Sequence, residues 1–279
     1  MSPTNDILAT LSYVKRFSGQ TVLIKLGGAA LTSTEDLERL CEDLALMRSV
    51  GLSVVLVHGG GPMINKELAA RGIGWEFIEG QRVTTPEIME VVEMVLCGVV
   101  NRKIVRTLNA CGIPAVGISG SDASTLLCRP ASPQLGQVGV IEKVNTSIIH
   151  SIMASSIPVI APIGTDAEGN PFNVNADWAA SRIAQALNVK KVLFLTDQEG
   201  ILDLEGKLLN ELDACELEGL ISNGVVKGGM LAKTRTILEA LKNGVSSLHV
   251  LSAKHPHALI QELFTEQGIG TLCRLRGSR

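Results

Sequence analysis

The chain has 279 residues, of which 46% are hydrophobic, 19% charged and 3% aromatic, with a formal net charge of -3. This balance describes a globular protein with enough chain for one large domain or two lobes, and excludes a disordered segment. A slightly acidic chain poor in aromatic rings has neither the cationic surface nor the stacking platforms of a nucleic-acid binder, so no nucleic-acid partner is expected.

Met1 to Lys15 carries Asp6 and lacks a basic segment followed by an apolar run, so no signal peptide is expected. No uninterrupted apolar stretch of about 18 residues occurs, so no membrane partner is expected and the cytoplasm is the expected location. Cys41, Cys97, Cys111, Cys128, Cys215 and Cys273 form no C-x-x-C pair. They are expected to be reduced, mostly buried small hydrophobes, and no metal site is expected.

Ahead of the first strand, Ile7, Leu8, Leu11 and Val14 make an apolar stripe at helical spacing. Short β-branched runs at 21–26, 53–57, 115–118, 158–163, 191–195 and 247–251 read as strands. After the first of them, Ser33 or Thr34 caps a helix with Leu37, Leu40, Cys41, Leu44 and Met47 on one face, closed by Gly51 in a left-handed conformation. Pro62 and Pro86 each stand at a first helical position, and the second of these helices runs through Val91, Val95 and Val99 to Gly112. Segment 126–144, punctuated by Pro130, Pro133, Gly136 and Gly139, reads as β-hairpins bordering a site, and 162–175 as a hinge between two lobes. The alternation predicts an α/β fold with a largely parallel sheet, helices on both faces and ligands at the carboxyl ends of the strands.

Two strands run into glycine loops. The first delivers Lys25 into Gly27 and Gly28; the second delivers His58 into Gly59, Gly60 and Gly61, then a Pro62-led helix. Glycines admit an oxyanion close to the backbone and a helix N-terminus offers free N–H groups, so each loop is a candidate phosphate or carboxylate cradle. Tight turns alone would also explain them. The dinucleotide fingerprint fails because its third glycine is Ile64, and the P-loop fails because Ala232 stands at its second glycine, which leaves Lys233 as a charge at a helix start. Asn173, Asn175 and Asp177 precede a helix and are either caps or ligands. Thr196, Asp197 and Gly200 form a turn at a strand's carboxyl end, and Arg82 is a loop cation able to grip a carboxylate with two parallel hydrogen bonds.

In order and together, these pieces resemble the N-acetylglutamate kinases, a branch of the amino acid kinase family. The resemblance rests on Val22 to Gly28, His58 to Pro62, Gly80 to Thr84, Met89 to Leu96, Asn173 to Asp177, Leu195 to Asp197, and Gly228, Gly229, Met230 and Lys233, and it covers nearly the whole chain. It implies a three-layer αβα sandwich around an open, mostly parallel eight-stranded sheet. An oligomerisation and effector helix would occupy 1–20, an acceptor-binding and dimerising lobe 21–178, and an ATP lobe 179–279. The implied reaction is ATP-dependent phosphorylation of the γ-carboxylate of N-acetyl-L-glutamate, a step of arginine biosynthesis, with Mg2+ held mainly by the ATP phosphates. Lys25 and Lys233 would neutralise the transferring phosphoryl group and Asp177 would orient both. Gly60, Gly61, Arg82 and Asn173 would bind the acceptor, and Gly28, Asp197, Gly200, Val226, Lys227, Gly228 and Gly229 the nucleotide. An ionised carboxylate acceptor needs no general base, which agrees with the lack of a recognisable catalytic triad.

The sequence departs from the family where Ser252, Ala253 and Lys254 replace its aspartate-glycine-arginine run, and at Ser119 to Ala123. The resemblance further implies a homodimer, or a hexamer built as a trimer of dimers, with L-arginine as effector at Tyr13, His249, Glu262 and Gly268. The alternatives are a kinase for carrier-linked aminoadipate or glutamate, and a non-catalytic amino-acid-sensing module.

Overall fold

In this computed structural model the described residues are 18–28, 34–189, 191–265 and 268–275. The expected N-terminal helix, Tyr13 included, lies outside them. The strands are β1 (Thr21–Leu26), β2 (Ser53–His58), β3 (Phe77–Ile78), β4 (Gln81–Arg82), β5 (Ala115–Ser119), β6 (Leu126–Pro130), β7 (Gly139–Val144), β8 (Ile157–Ala161), β9 (Ile163–Thr165), β10 (Pro171–Asn173), β11 (Lys191–Thr196), β12 (Glu211–Asp213), β13 (Ser247–Ser252) and β14 (Thr271–Arg274). Eight of them form one sheet in the order β12-β14-β13-β11-β1-β2-β8-β5. All its pairings are parallel except β13 with β14. From β1 the chain first builds outward on one side, through β2 to β8 and β5, and later on the other, through β11. The carboxyl end of β1 is therefore a switch point, where an open parallel sheet leaves a crevice.

Two cores flank the sheet, as strand alternation requires. Val22, Ile24 and Leu26 pack with Leu37, Leu44 and Leu68 on one face, while Leu23, Val55 and Val57 pack with Ala180, Ile183 and Ile237 on the other. All five residues of the expected Leu37 to Met47 stripe are buried, and Gly51 closes that helix with φ +85°. The result is the three-layer sandwich.

Four expectations are corrected. The long helix expected from Pro86 to Gly112 is α-helical over Pro86–Glu93 and Asn101–Ala110 but π-helical over Met94–Val100. Valines and Gly98 weaken the α ladder there, and the wider turn lets Leu96, Val100 and Asn101 all face inward. The run 158–163 is two strands because Pro162, lacking an N–H, cannot extend the ladder. The 162–175 hinge contains the antiparallel pair β9–β10, which joins the single β6–β7 hairpin in a small sheet of order β10-β9-β6-β7. Only Cys41, Cys128 and Cys273 of the six cysteines are buried, Cys97 is half-buried, and Cys111 and Cys215 are exposed.

Candidate active site

Lys25 is the last residue of β1 on the face it shares with Leu23. That alternation aims its amine at the start of the helix Ala176–Ala186, where it meets Asp177 Oδ1 at 2.8 Å. Lys233, in the second turn of the helix Gly228–Lys242, reaches Asp177 Oδ2 at 3.1 Å. Asn175 caps the first helix by accepting from the N–H groups of Asp177 and Trp178, which holds the carboxylate in place. One buried carboxylate thus bridges two lysines from separate parts of the chain. Burial alone would raise the Asp177 pKa, but both ammonium groups hold it far below the usual carboxylate range. Burial lowers the Lys233 pKa first, with Lys25 acting in the same direction and Asp177 against it.

Two cavities lie by this bridge, with Gly61 lining one and its neighbour Pro62 the other. The first, of about 170 Å³, is lined by Gly59, Gly60, Gly61, Arg82 and Asn173 among others. Arg82 is 6% exposed, and its guanidinium stacks 4.8 Å from the Phe77 ring centre. Its Nη2 donates to Asn65 Oδ1 at 2.5 Å, and its Nη1 has no hydrogen-bond partner among the described residues. A buried guanidinium N–H without an acceptor is costly, and a carboxylate in the cavity would remove that cost. Asn173 spends one amide proton on Thr84 Oγ1 at 3.1 Å and keeps the other.

The second cavity, of about 550 Å³, is lined by Lys25, Gly27, Gly28, Pro62, Thr196, Asp197, Gln198, Lys227, Gly229, Met230 and Lys233. Gly27 must be glycine, since a Cβ there would lie 2.6 Å from the Leu195 carbonyl oxygen that accepts its own N–H. At Asp197 burial pushes the pKa upward, but the Thr196 hydroxyl, donating at 3.0 Å, and nearby donors bring it below the ordinary value. Two helices begin here without a side-chain cap or an acidic first turn, Gly61–Ala70 and Gly228–Lys242. By contrast, Thr85, Asn175 and Asp213 each cap their helices. Open N-termini beside two lysines make a field suited to a polyanion.

Of the expected nucleotide residues, Gly200, Val226 and Gly228 do not line the cavity. A Cβ on Gly200 would lie 2.5 Å from both Leu208 Cδ1 and Thr271 Oγ1, and Val226 is buried. Gly228 opens its helix at φ +54°. Sequence reading missed Asn65, which holds Arg82, and Gln198, which lines the cavity; Asn65 offered only its place one turn into the helix behind the glycine loop. His249, Glu262 and Gly268 do come together away from this bridge. His249 Nδ1 lies 2.5 Å from Glu262 Oε1, Ile269 N and Gly270 N donate to Oε2 at 2.8 and 3.1 Å, and a Cβ on Gly268 would stand 2.7 Å from Oε2.

Residues 20–252 match the model of the amino acid kinase family. The acetylglutamate kinase of Ruegeria pomeroyi is 46% identical over 267 residues, covering 95% of this chain and 93% of that protein. That of Methanoculleus marisnigri is 42% identical, covering 99% of this chain and 100% of that one. Among solved structures, an N-acetylglutamate synthase from Neisseria gonorrhoeae, complexed with coenzyme A and N-acetyl-glutamate, superposes with a TM-score of 0.89 at 26% identity, covering 99% of this chain but 64% of its own. With the double-lysine bridge and the eight-stranded sheet, these likenesses have one meaning: the chain belongs to the amino acid kinase family, in its acetylglutamate kinase branch.

Proposed function

We propose that this chain transfers the γ-phosphoryl group of ATP to the γ-carboxylate of N-acetyl-L-glutamate, giving the acyl phosphate. The observation that carries the reading is the Lys25–Asp177–Lys233 bridge, whose lysines line the cavity flanked by open helix N-termini, while Ala176, next to Asp177, lines the cavity with the unsatisfied guanidinium. The acceptor lobe is residues 21–178 and the nucleotide lobe 179–279. Arg82 and Asn173 hold the α-carboxylate side of the acceptor, and ATP lies against Gly28, Asp197, Lys227 and Gly229.

The acceptor carboxylate is ionised at neutral pH and attacks without a base. The work of the protein is alignment and charge: Lys25 and Lys233 face the equatorial oxygens, and the N–H groups of Gly60 and Gly61 face the oxygens that gain charge. Magnesium would be held mainly by the triphosphate oxygens, where it would neutralise charge. ADP release assayed with N-acetyl-L-glutamate, L-glutamate, L-aspartate and carbamate tests the reading. Selective turnover of the acetylated acceptor is expected, and equal or absent turnover with it refutes the assignment.

A carrier-linked acceptor is the second reading. A cavity of about 260 Å³, lined by Trp178, Arg182 and Glu239, shares Gln81, Val174 and Asn175 with the acceptor cavity and gives a longer acceptor room. A peptide-linked aminoadipate outcompeting N-acetyl-L-glutamate would favour it.

For regulation, the proposal is a dimer or a hexamer of three dimers inhibited by L-arginine beside His249, Glu262 and Gly268. The Glu262 carboxylate already accepts three internal hydrogen bonds, so an incoming guanidinium has to share it. Light scattering and an arginine titration test this: a dimer indifferent to arginine refutes both the hexamer and the inhibition, and an arginine-insensitive hexamer places the fault in the altered Ser252 to Lys254 segment.

A further inference from the structure

The chemistry above uses the glycine loop after β2 but not His58, the residue that leads into it. His58 and Asn101 are both 0% exposed. Asn101 Nδ2 lies 2.9 Å from the Val159 carbonyl oxygen, 3.4 Å from that of Ile118 and 3.2 Å from His58 Nε2. Carbonyl oxygens only accept, so the Asn101 atom facing them is the amide nitrogen, and Arg102 Nη2 donates to its Oδ1 from the other side. An amide nitrogen facing His58 Nε2 requires that ring atom to be bare. The ring proton therefore sits on Nδ1, which is 3.0 Å from the Gly59 carbonyl oxygen and donates to it. Gly117 makes room for the arrangement, since a Cβ there would meet Asn101 Oδ1 at 1.9 Å and Arg102 Nη2 at 2.0 Å. Burial pushes the His58 pKa down to about 4, so the ring stays neutral in this tautomer through the physiological range.

The consequence lies in one peptide unit. No cis peptide bond occurs among the described residues, and in a planar trans unit the C=O of Gly59 and the N–H of Gly60 point in opposite directions. Holding the carbonyl inward on His58 turns the Gly60 N–H outward, at the glycine loop that lines the acceptor cavity. That N–H donates to no acceptor among the described residues. Leu96 keeps position 60 glycine, because a Cβ would stand 2.5 Å from its Cδ2.

We infer that His58 is a positioning residue: with Asn101 fixing its tautomer, it locks the Gly59–Gly60 peptide so that the Gly60 N–H is presented to the charge developing on the transferring phosphoryl group. The inference rests on the kinase reading of this cavity. A hydrogen-bond donor preset for the transition state contributes about 10² to 10³ in turnover, and a loosened peptide forfeits part of that. In His58→Phe, kcat should fall by about 10² with the KM for ATP within about threefold. In His58→Asn the amide nitrogen takes the place of Nδ1, and kcat should return to within about tenfold of wild type.

The tautomer is read independently of activity, from the ring nitrogen signals of 15N-histidine-labelled wild-type protein, with His58→Asn assigning the resonance. A proton on Nδ1 and a bare Nε2, unchanged between pH 8 and 5, are expected. A proton on Nε2 overturns the inference, and so does folded His58→Phe with wild-type kcat. If His58→Phe does not fold, His58→Asn and the wild-type tautomer decide: turnover in His58→Asn reduced by 10² or more also overturns it. Failure of the kinase reading shows separately, as wild-type protein releasing no ADP with any acceptor, which overturns the role in phosphoryl transfer whatever the tautomer.

Discussion

Replacing Asp177 by asparagine keeps the shape of the bridge and removes its charge. The amines of Lys25 and Lys233, now 2.8 and 3.1 Å from carboxylate oxygens, would face each other across a neutral amide in a buried setting. Two positive charges on the order of 6 Å apart at an effective dielectric of about 20 repel by about 3 kcal/mol. Breaking a buried pair by removing one partner costs about 3 to 5 kcal/mol in general, so a loss near 3 kcal/mol at pH 7 is expected. The pH dependence gives the mechanism away. In the wild type, Asp177 has a depressed pKa, so its contribution is complete above the unfolded carboxylate value and lost only on strong acidification. In the variant Lys233, whose pKa burial already depresses, loses the carboxylate that opposed the shift, so its pKa falls further below the unfolded value. The unfolded chain then binds more protons, and stability rises with pH towards about 10, the unfolded lysine value. Urea unfolding at pH 6.5 and 9, with and without ATP, measures this. The variant should regain stability at pH 9, and ATP should stabilise it more than the wild type, because phosphates replace the missing charge. A variant as stable as wild type at both pH values would refute the bridge as a charge-balancing element.

Lys25→Ala and Lys233→Ala should each lower kcat by about 10² to 10³ with ATP affinity within a few-fold, as steady-state kinetics with nucleotide titration will show. Arg82→Ala should raise the KM for the acceptor with a smaller effect on kcat, because the unpartnered Nη1 binds in the ground state; an unchanged KM removes its carboxylate role. The kcat profile should stay flat from neutrality down to about pH 5 to 6, since the acceptor and Asp177 remain ionised and His58 neutral. Burial works to raise the Glu262 pKa, but the His249 and backbone hydrogen bonds bring it below its ordinary value. Its contribution is therefore present at neutral pH and lost on acidification, and Glu262→Ala should lower stability by about 2 to 4 kcal/mol in urea unfolding, beyond any change in arginine response.

Much of the site was legible because its residues sit where strand meets glycine loop and loop meets helix. Lys25 before Gly27, Lys233 in the turn after Gly228 and Asp177 behind Asn175 each carry a local signal, though only tertiary structure brings them onto one carboxylate. Five of the six runs read as strands are single strands, and the sixth, 158–163, is divided at Pro162 between two sheets. Strands β12 and β14, three and four residues long, carry too little periodicity to stand out. The π-helical segment was hidden because its apolar residues also fit an α-helix. His58 read only as the residue before a glycine loop; its partner Asn101 lies 43 positions away, beyond the reach of any pattern.

The two helices that open without caps at Gly61 and Gly228 carry a cost as well as a use. Their first N–H groups have no side-chain acceptor, so these helix starts are expected to fray in the free protein. Stability and affinity then draw on the same few N–H groups. A designer who installs a cap at position 227, as Lys227→Asp, should obtain a sturdier free enzyme that holds its nucleotide less well, because the carboxylate would compete for the N–H groups proposed to meet a phosphate.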